Sequence, residues 1–159
     1  MLTKNHDLAI KTIYSCLGNE DIIWAFTGST SLIIQGMKIA PNDIDICTDE
    51  AGAYRINALL KAYETSPVSF SSTGKIRSHF GKFRINGIEV EVIGNIQTMN
   101  NHRWQDIIDL KSIIQQINYK NITIPVLNLT AESAGYKALG RFQRADEIDQ
   151  FIASMGGLS

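Results

Sequence analysis

Three groups of residues have types and spacing that could do chemistry. Gly28-Ser29 closes a short apolar run, Asp43-Ile44-Asp45 begins fourteen residues after Ser29, and Glu89 and Glu91 alternate with Ile88, Val90 and Val92 further on. In an extended chain successive side chains point to opposite faces. Asp43 and Asp45 therefore share one face, with Ile44 and Ile46 on the other, and Glu89 and Glu91 share a face in the same way. Carboxylates crowded like this need solvent, basic partners or a cation. Hard oxygen ligands on a rigid strand suit Mg²⁺, which is held by one or two carboxylates together with substrate phosphates. Two such ions, roughly 3.5–4 Å apart, need a third acid beside the aspartate pair. Glu91, in mid-strand between Val90 and Val92, is the expected third ligand, and Glu89, nearer the turn, is the alternative.

The Gly-Ser turn has its own chemistry. Glycine lets the backbone approach a ligand closely, and a helix opening at Ser29 or Thr30 would present free N–H groups to a phosphate. Taken singly, a Gly-Ser start is also an ordinary helix cap, and Asp-x-Asp also occurs on solvated strand faces. The three elements in this order describe a phosphate-holding turn beside a carboxylate cluster. Basic partners for a triphosphate are Lys38 before the Asp-x-Asp segment, Lys75 and Arg77 upstream of the glutamates, and Lys137 and Arg141 near the C-terminal end. The last two are neighbours if a helical turn runs through Gly140. His6, His79 and His102 lie far apart and make no short metal-ligand spacing; the last two read as surface or hairpin residues rather than bases. Trp24 reads as core packing next to the turn, while Trp104 and His102 are candidates to border a base or acceptor pocket.

These residues must be positioned by elements the pattern also predicts. Leu8, Ile10, Ile13, Tyr14 and Leu17 recur at helical spacing before Gly18. Residues 22–27 read as a strand buried on both faces, 30–35 as a short helix ending at Gly36, 43–47 as the Asp-x-Asp strand, and 49–63 as a helix capped by Thr48 or Asp49. Pro67 ends that region, and 68–70 is a candidate strand. Residues 76–85 and 88–93 form a hairpin through Asn86-Gly87, since both residues tolerate the positive φ of a type I′ turn. The segment 95–116 carries Trp104, Ile107, Ile108 and Leu110 at spacing that suggests a short helix. Residues 122–127 read as an edge strand, because Pro125 cannot donate to a ladder. Thr130 is the expected cap of a helix to Leu139, and 141–155 the last helix. The expected fold is therefore α/β (α+β), a single domain over residues 1–159. It has a mixed sheet of three to five strands, helices packed on one side and a helical C-terminal segment closing one side of a cleft.

Composition narrows the function classes. Apolar residues make up 44% of the chain and charged ones 19%, which suits a packed core rather than disorder. Net charge is −1 with scattered lysines and arginines, so no footprint for duplex DNA is expected. Residues 1–19 hold no uninterrupted apolar run, so neither a signal peptide nor a membrane span is expected, and the protein is placed in the cytoplasm. Cys16 and Cys47, two cysteines in all, are too few for a disulfide scaffold or a four-ligand zinc site and read as small buried apolar residues.

Gly28-Ser29-Thr30-Ser31-Leu32, then Gln35-Gly36, then Asn42-Asp43-Ile44-Asp45-Ile46 resemble the signature of the polymerase-β-type nucleotidyltransferase superfamily. Its small stand-alone members include antibiotic nucleotidyltransferases and the nucleotidyltransferase components of toxin–antitoxin pairs. The segment Tyr136 to Arg141 resembles the helical C-terminal end of such members. The resemblance implies that Gly28 and Ser29 hold a nucleoside triphosphate, that Asp43 and Asp45 bind two Mg²⁺ ions and that Glu91 completes the site. A nucleotide would pass to an acceptor hydroxyl of a small molecule, a protein or an RNA, with pyrophosphate released. A second subunit or partner chain could complete an acceptor pocket in a chain this small. Two departures stand out: a glutamate where aspartate is commoner, and Asn42 where many members place serine, threonine or a basic residue. Two other readings compete, a non-catalytic antitoxin-like interaction protein that keeps the fold and a phosphohydrolase that turns the same acids on water.

Overall fold

The computed structural model describes residues 1–156. Helix α1 (Lys4–Leu17) is capped by Thr3, whose hydroxyl oxygen accepts the His6 N–H at 3.2 Å. Ala9, Ile10, Ile13 and Leu17 are fully buried, so Ile10, Ile13 and Leu17 lie on the core face that the apolar spacing predicts, whereas Tyr14 is half-buried and Leu8, 41% exposed, lies off that face. Strand β1 (Trp24–Thr27) runs directly into helix α2 (Gly28–Ile34). The helix starts earlier than residue 30 because Gly28, at φ +68°, turns the chain without a loop. Trp24 packs edge-on against Phe26 in the core, with ring centroids 5.2 Å apart.

Strand β2 (Ile44–Thr48) buries Ile44 and Ile46 completely. Asp49 caps helix α3 (Glu50–Leu59) by accepting the Gly52 N–H at 2.7 Å. That helix stops short of Tyr63, and Lys61–Tyr63 form a 3₁₀ turn instead. Strands β3 (Glu64–Ser72), β4 (Ile76–Ile85) and β5 (Ile88–Asn100) follow as a meander. Asn86 and Gly87 both take positive φ, 51° and 76°, and Ile85 pairs with Ile88, which is the two-residue hairpin the sequence predicts. Val90 and Val92 on β5 are buried with the β2 isoleucines under α1 and α3.

The sheet is mixed, as expected, yet larger. With β6 (Arg103–Trp104), β7 (Ile114–Tyr119) and β8 (Ile122–Leu127) it has eight described strands, in the order β3-β4-β5-β2-β1-β8-β7 with β6 added onto β5. The β2–β5 and β1–β8 pairs are parallel and the others antiparallel. Pro67 does not end β3, because β3 is an edge strand whose register slips between Glu64 and Ser69, where the missing donor is not called on. Strand β8, in contrast, is not an edge: β1 and β7 flank it. Its parallel bridge to β1 is centred on Val126 opposite Phe26 and uses no donor from Pro125.

Residues 95–116 are extended rather than helical. Strand β5 continues to Asn100, Asn101 and His102 take φ of 51° and 61°, and the chain returns as β6, pairing Met99 with Trp104. A 3₁₀ turn (Leu110–Ser112) is the helical piece here, and Ile107 and Ile108 are 51% and 53% exposed. Helix α4 (Leu129–Ala138) is capped by Asn128, which accepts the Ala131 N–H at 2.8 Å, rather than by Thr130. Gly140, at φ +75°, ends it, and the Arg141 N–H returns to the Tyr136 carbonyl at 2.8 Å in a Schellman closure. The helix therefore does not run through Gly140, and α5 (Phe142–Gly156) is separate. Leu32, Met37, Leu129, Tyr136, Ala145 and Ile148 form a second core that ties α2 to α4 and α5. No described helix is long and apolar enough to cross a membrane.

Candidate active site

Burial of Ile44, Ile46, Val90 and Val92 on one face forces the intervening acids onto the other. Parallel pairing sets Asp45 beside Glu91 and Ile44 beside Val90, which brings Asp43 level with Glu89. Carboxylate oxygens of Asp43, Glu89 and Glu91 all lie within 4.8 Å of one another. The Asp45 carboxyl shares a hydrogen bond with Glu91. The group within that distance holds Asp43 and both glutamates, and Asp45 joins it through Glu91, its neighbour in register, rather than as a member of the set.

The electrostatics follow from that crowding. Burial, then the charge of Glu91, push Asp45 up to about 8. Asp43 is raised by burial and by Glu89 beside it, and Glu91 is raised mainly by burial. Lys82 on β4, opposite Glu91 in register, approaches Glu89 at 3.4 Å, and Arg84 acts on Asp43 at longer range. Carboxyls that retain protons above their ordinary range lack sufficient positive charge. The donor set, all hard oxygens on two paired strands, fits a divalent cation such as Mg²⁺.

Gly28 forms the wall behind Asp45. A Cβ there would fall 2.5 Å from Asp45 Oδ2 and push the carboxylate aside, and φ of +68° strains any other residue, so glycine lets the turn and the carboxylate meet. The turn is held from its other side by Glu132 of α4, which the sequence reading did not single out. Thr27 Oγ1 donates to Glu132 Oε1 at 2.6 Å, and the Gly28 N–H donates to Oε2 at 3.2 Å. Glu132 is 4% exposed, and burial pushes its carboxyl up to about 7. The signal available was its position on the apolar face of a helix, three residues after Leu129 and four before Tyr136.

The expected basic partners are dispersed. Ser29 is half-buried at the start of α2, whereas Lys38 and Lys75 are exposed. Lys137 Nζ lies 3.0 Å from an Asp149 carboxylate oxygen. Arg77 donates to Gln97 at 2.9 Å and stacks over Trp104 at 4.4 Å, so Trp104 supports an arginine. Arg141 stacks over Tyr136 at 4.8 Å and lines the cleft beside the acids. Lys82, unremarked in the sequence, is the lysine the sheet register delivers to the cluster. His79 bonds Tyr54 and Glu50 outside the cleft, and His102 sits in an exposed turn. His6 is buried: its Nε2–H donates to the Asn42 carbonyl at 2.7 Å and steadies the loop that leads into Asp43. Cys47 is buried beneath the cleft, and Cys16 is half-buried.

A cavity of about 470 Å³ begins at Gly28, Asp45 and Glu132 and runs along Cys47 and Ile93 to Ile107 and Ile108, with α4 and Arg141 as its wall. That size suits a small-molecule site.

The sequence profile of the aminoglycoside-2''-adenylyltransferase family matches residues 9–151. A Thermotoga maritima protein assigned to the nucleotidyltransferases is 37% identical, with 97% of this chain and 96% of that one covered and a TM-score of 0.86. The lincosamide antibiotic adenylyltransferase LnuA, solved with lincomycin, is 14% identical over 92% of this chain and 98% of its own, with a TM-score of 0.53. ANT(2'')-Ia in complex with adenylyl-2''-tobramycin is 10% identical over 93% and 95%, with a TM-score of 0.56. These two share the fold. No curated protein is significantly similar to the chain. With most of its length inside the family profile and a close structural counterpart along nearly all of it, the chain belongs to the aminoglycoside-2''-adenylyltransferase family and is a nucleotidyltransferase.

Proposed function

We propose that the protein transfers a nucleoside monophosphate from a nucleoside triphosphate to the hydroxyl of a small-molecule acceptor in a Mg²⁺-dependent reaction. The observation that carries this is the cluster of Asp43, Asp45, Glu89 and Glu91 packed against the Gly28 turn. In this reading Asp43 and Asp45 hold the metal, and Glu91 completes the ligand set with Glu89 as the alternative. Bound there, Mg²⁺ neutralises the phosphates and stabilises charge that builds up during transfer. The Gly28-Ser29 turn seats the triphosphate, and Glu132 holds the turn in place through Thr27 and the Gly28 N–H. Arg141 at the cleft and Lys82 beside the acids are better placed to meet phosphate than Lys38 or Lys137.

Transfer forms a bond from the acceptor oxygen to the α-phosphorus and breaks the bond between that phosphorus and the α–β bridging oxygen, so pyrophosphate leaves. The hydroxyl proton passes to a carboxylate of the cluster. Positioning and electrostatics supply most of the rate. Relatives caught with lincomycin and with adenylylated tobramycin support a small hydroxyl-bearing acceptor.

The test is pyrophosphate release from each of the four nucleoside triphosphates with Mg²⁺ and a panel of hydroxyl compounds including lincomycin and tobramycin, with product mass read in parallel. An acceptor whose mass rises by one nucleotidyl group, a nucleoside monophosphate less one water, in wild type and not in Asp43→Asn/Asp45→Asn, supports the reading. Pyrophosphate or phosphate release that needs no acceptor assigns the acids to hydrolysis instead.

A further inference from the structure

Outside the cleft, helix α3 and strand β4 hold a second group of residues whose chemistry the transfer site leaves unused. Tyr54 Oη lies 2.9 Å from His79 Nδ1, and His79 Nε2 lies 2.9 Å from a Glu50 carboxylate oxygen. With the Nε2 proton directed at the carboxylate, neutral His79 presents Nδ1 as an acceptor, and the Tyr54 hydroxyl donates to it. The rings of Tyr54 and Phe70 flank the imidazole, with centroids 5.4 and 5.3 Å from its own, and steady it. A hydroxyl on a base that a third group orients is the arrangement of an activated nucleophile. It is open to solvent, since Tyr54 is 44% exposed.

His79 pairs with Gly94 of β5, which α3 crosses at Asp49 and Ala53, so the group lies on the helix-covered face of the sheet. Asp43, Asp45, Glu89 and Glu91 lie on the other face, opposite the buried Val90 and Val92. A molecule's own acids therefore cannot reach its Tyr54, whereas those of a second molecule can. Phe70, 58% exposed beside the hydroxyl, and Ile107 and Ile108, exposed beside the cleft, are uncovered apolar surfaces that such an encounter would bring together.

We propose that Tyr54 is itself a nucleotide acceptor, modified by a second copy of this chain, with His79 as its base and Glu50 orienting the imidazole. The proposal rests on the nucleotidyl-transfer reading for the donor and on the Tyr54–His79–Glu50 geometry for the acceptor. Tyr54 Oη forms a bond to the α-phosphorus of a triphosphate held by the other molecule. The bond from that phosphorus to the α–β bridging oxygen breaks, pyrophosphate leaves, and His79 Nδ1 takes the hydroxyl proton.

Wild-type protein is incubated with Mg²⁺ and each of the four nucleoside triphosphates, with no added acceptor, and intact and peptide masses are read. The expected result is one added nucleotidyl group on Tyr54, gained at a rate that rises with the square of protein concentration. Mixing Asp43→Asn/Asp45→Asn, which keeps Tyr54, with Tyr54→Phe, which keeps the acids, should label only the former. His79→Gln alone should label about a hundredfold more slowly than wild type. Nucleotide binding without a label, a label on another residue, or a rate per molecule independent of protein concentration overturns the proposal and leaves transfer to small acceptors intact. If no triphosphate binds wild type, nucleotidyl transfer and this acceptor fall together. N-acetylimidazole, which acetylates tyrosine hydroxyls, tests the geometry without nucleotide: Tyr54 should react faster than exposed Tyr63, and His79→Gln should remove that lead. Equal rates at Tyr54 in wild type and in His79→Gln overturn the assignment of His79 as base.

Discussion

Replacing Glu132 with glutamine should remove a pH dependence that the wild-type fold carries. The folded protein holds this carboxyl at about 7 against an ordinary 4.5, with burial as the main cause. Folding therefore retains a proton that the unfolded chain releases across that interval. Stability from this group is fully present below the unfolded value, falls as pH rises toward the folded value and is level above it. At about 1.4 kcal/mol for each pH unit, the interval amounts to about 3 kcal/mol, with no discount for solvent because the side chain is 4% exposed. Glutamine preserves the geometry: its amide can donate to the Thr27 hydroxyl oxygen while its carbonyl accepts the Gly28 N–H, so both bonds of the carboxyl are replaced without a titrating group. Urea denaturation of both proteins, in chelator and in steps from about pH 4.5 to about pH 8, gives the difference directly. Asp43 and Glu91 titrate in both proteins and largely cancel, and for Asp45 the charge of Glu132 is the least of the causes of its rise, so the substitution changes its titration little. Variant minus wild-type stability should climb by about 3 kcal/mol between pH 4.5 and 7 and then level off. A difference that stays flat with pH would refute the view that Glu132 is sealed against the Gly28 turn.

Gly28→Ala should destabilise the fold by at least about 1–2 kcal/mol through its positive φ alone, and it should weaken nucleotide binding further because the added Cβ displaces Asp45; denaturation and calorimetry read the two effects separately. His6→Ala leaves the Asn42 carbonyl without its donor and should cost about 1–3 kcal/mol, with lower nucleotide affinity as the loop into Asp43 loosens; thermal unfolding and nucleotide titration check this, and an unchanged midpoint would show that the contact is dispensable.

The acid cluster was readable in the sequence because a strand has a period of two: once Ile44, Ile46, Val90 and Val92 are taken as core, the acids between them have one face left. The hairpin was readable because Asn86-Gly87 leaves few alternatives for its turn. What the sequence concealed depends on contacts between distant segments. Lys82 reaches Glu89 through the β4–β5 register, and Glu132 reaches Gly28 across 104 positions of chain. Neither leaves a local mark. Strand β7 escaped notice because Gln115, Gln116 and Asn118 make it polar, as a solvated edge strand is. Residues 104–110 imitated a helical stripe, whereas the segment serves as one wall of a cavity and keeps its isoleucines uncovered. Pro125 sits in a flanked strand because a proline is barred only from the positions of a strand that must donate.

The central claim is that Asp43 and Asp45, beside the Gly28 turn, form a metal-dependent nucleoside triphosphate site. Calorimetric titration of ATP, GTP, CTP and UTP with and without Mg²⁺, into wild type and into a folded Asp43→Ala/Asp45→Ala variant, tests it most directly. The account predicts that at least one triphosphate binds wild type only when Mg²⁺ is present and does not bind the variant. Failure of every triphosphate to bind folded wild type, or equal binding by the variant, would contradict it.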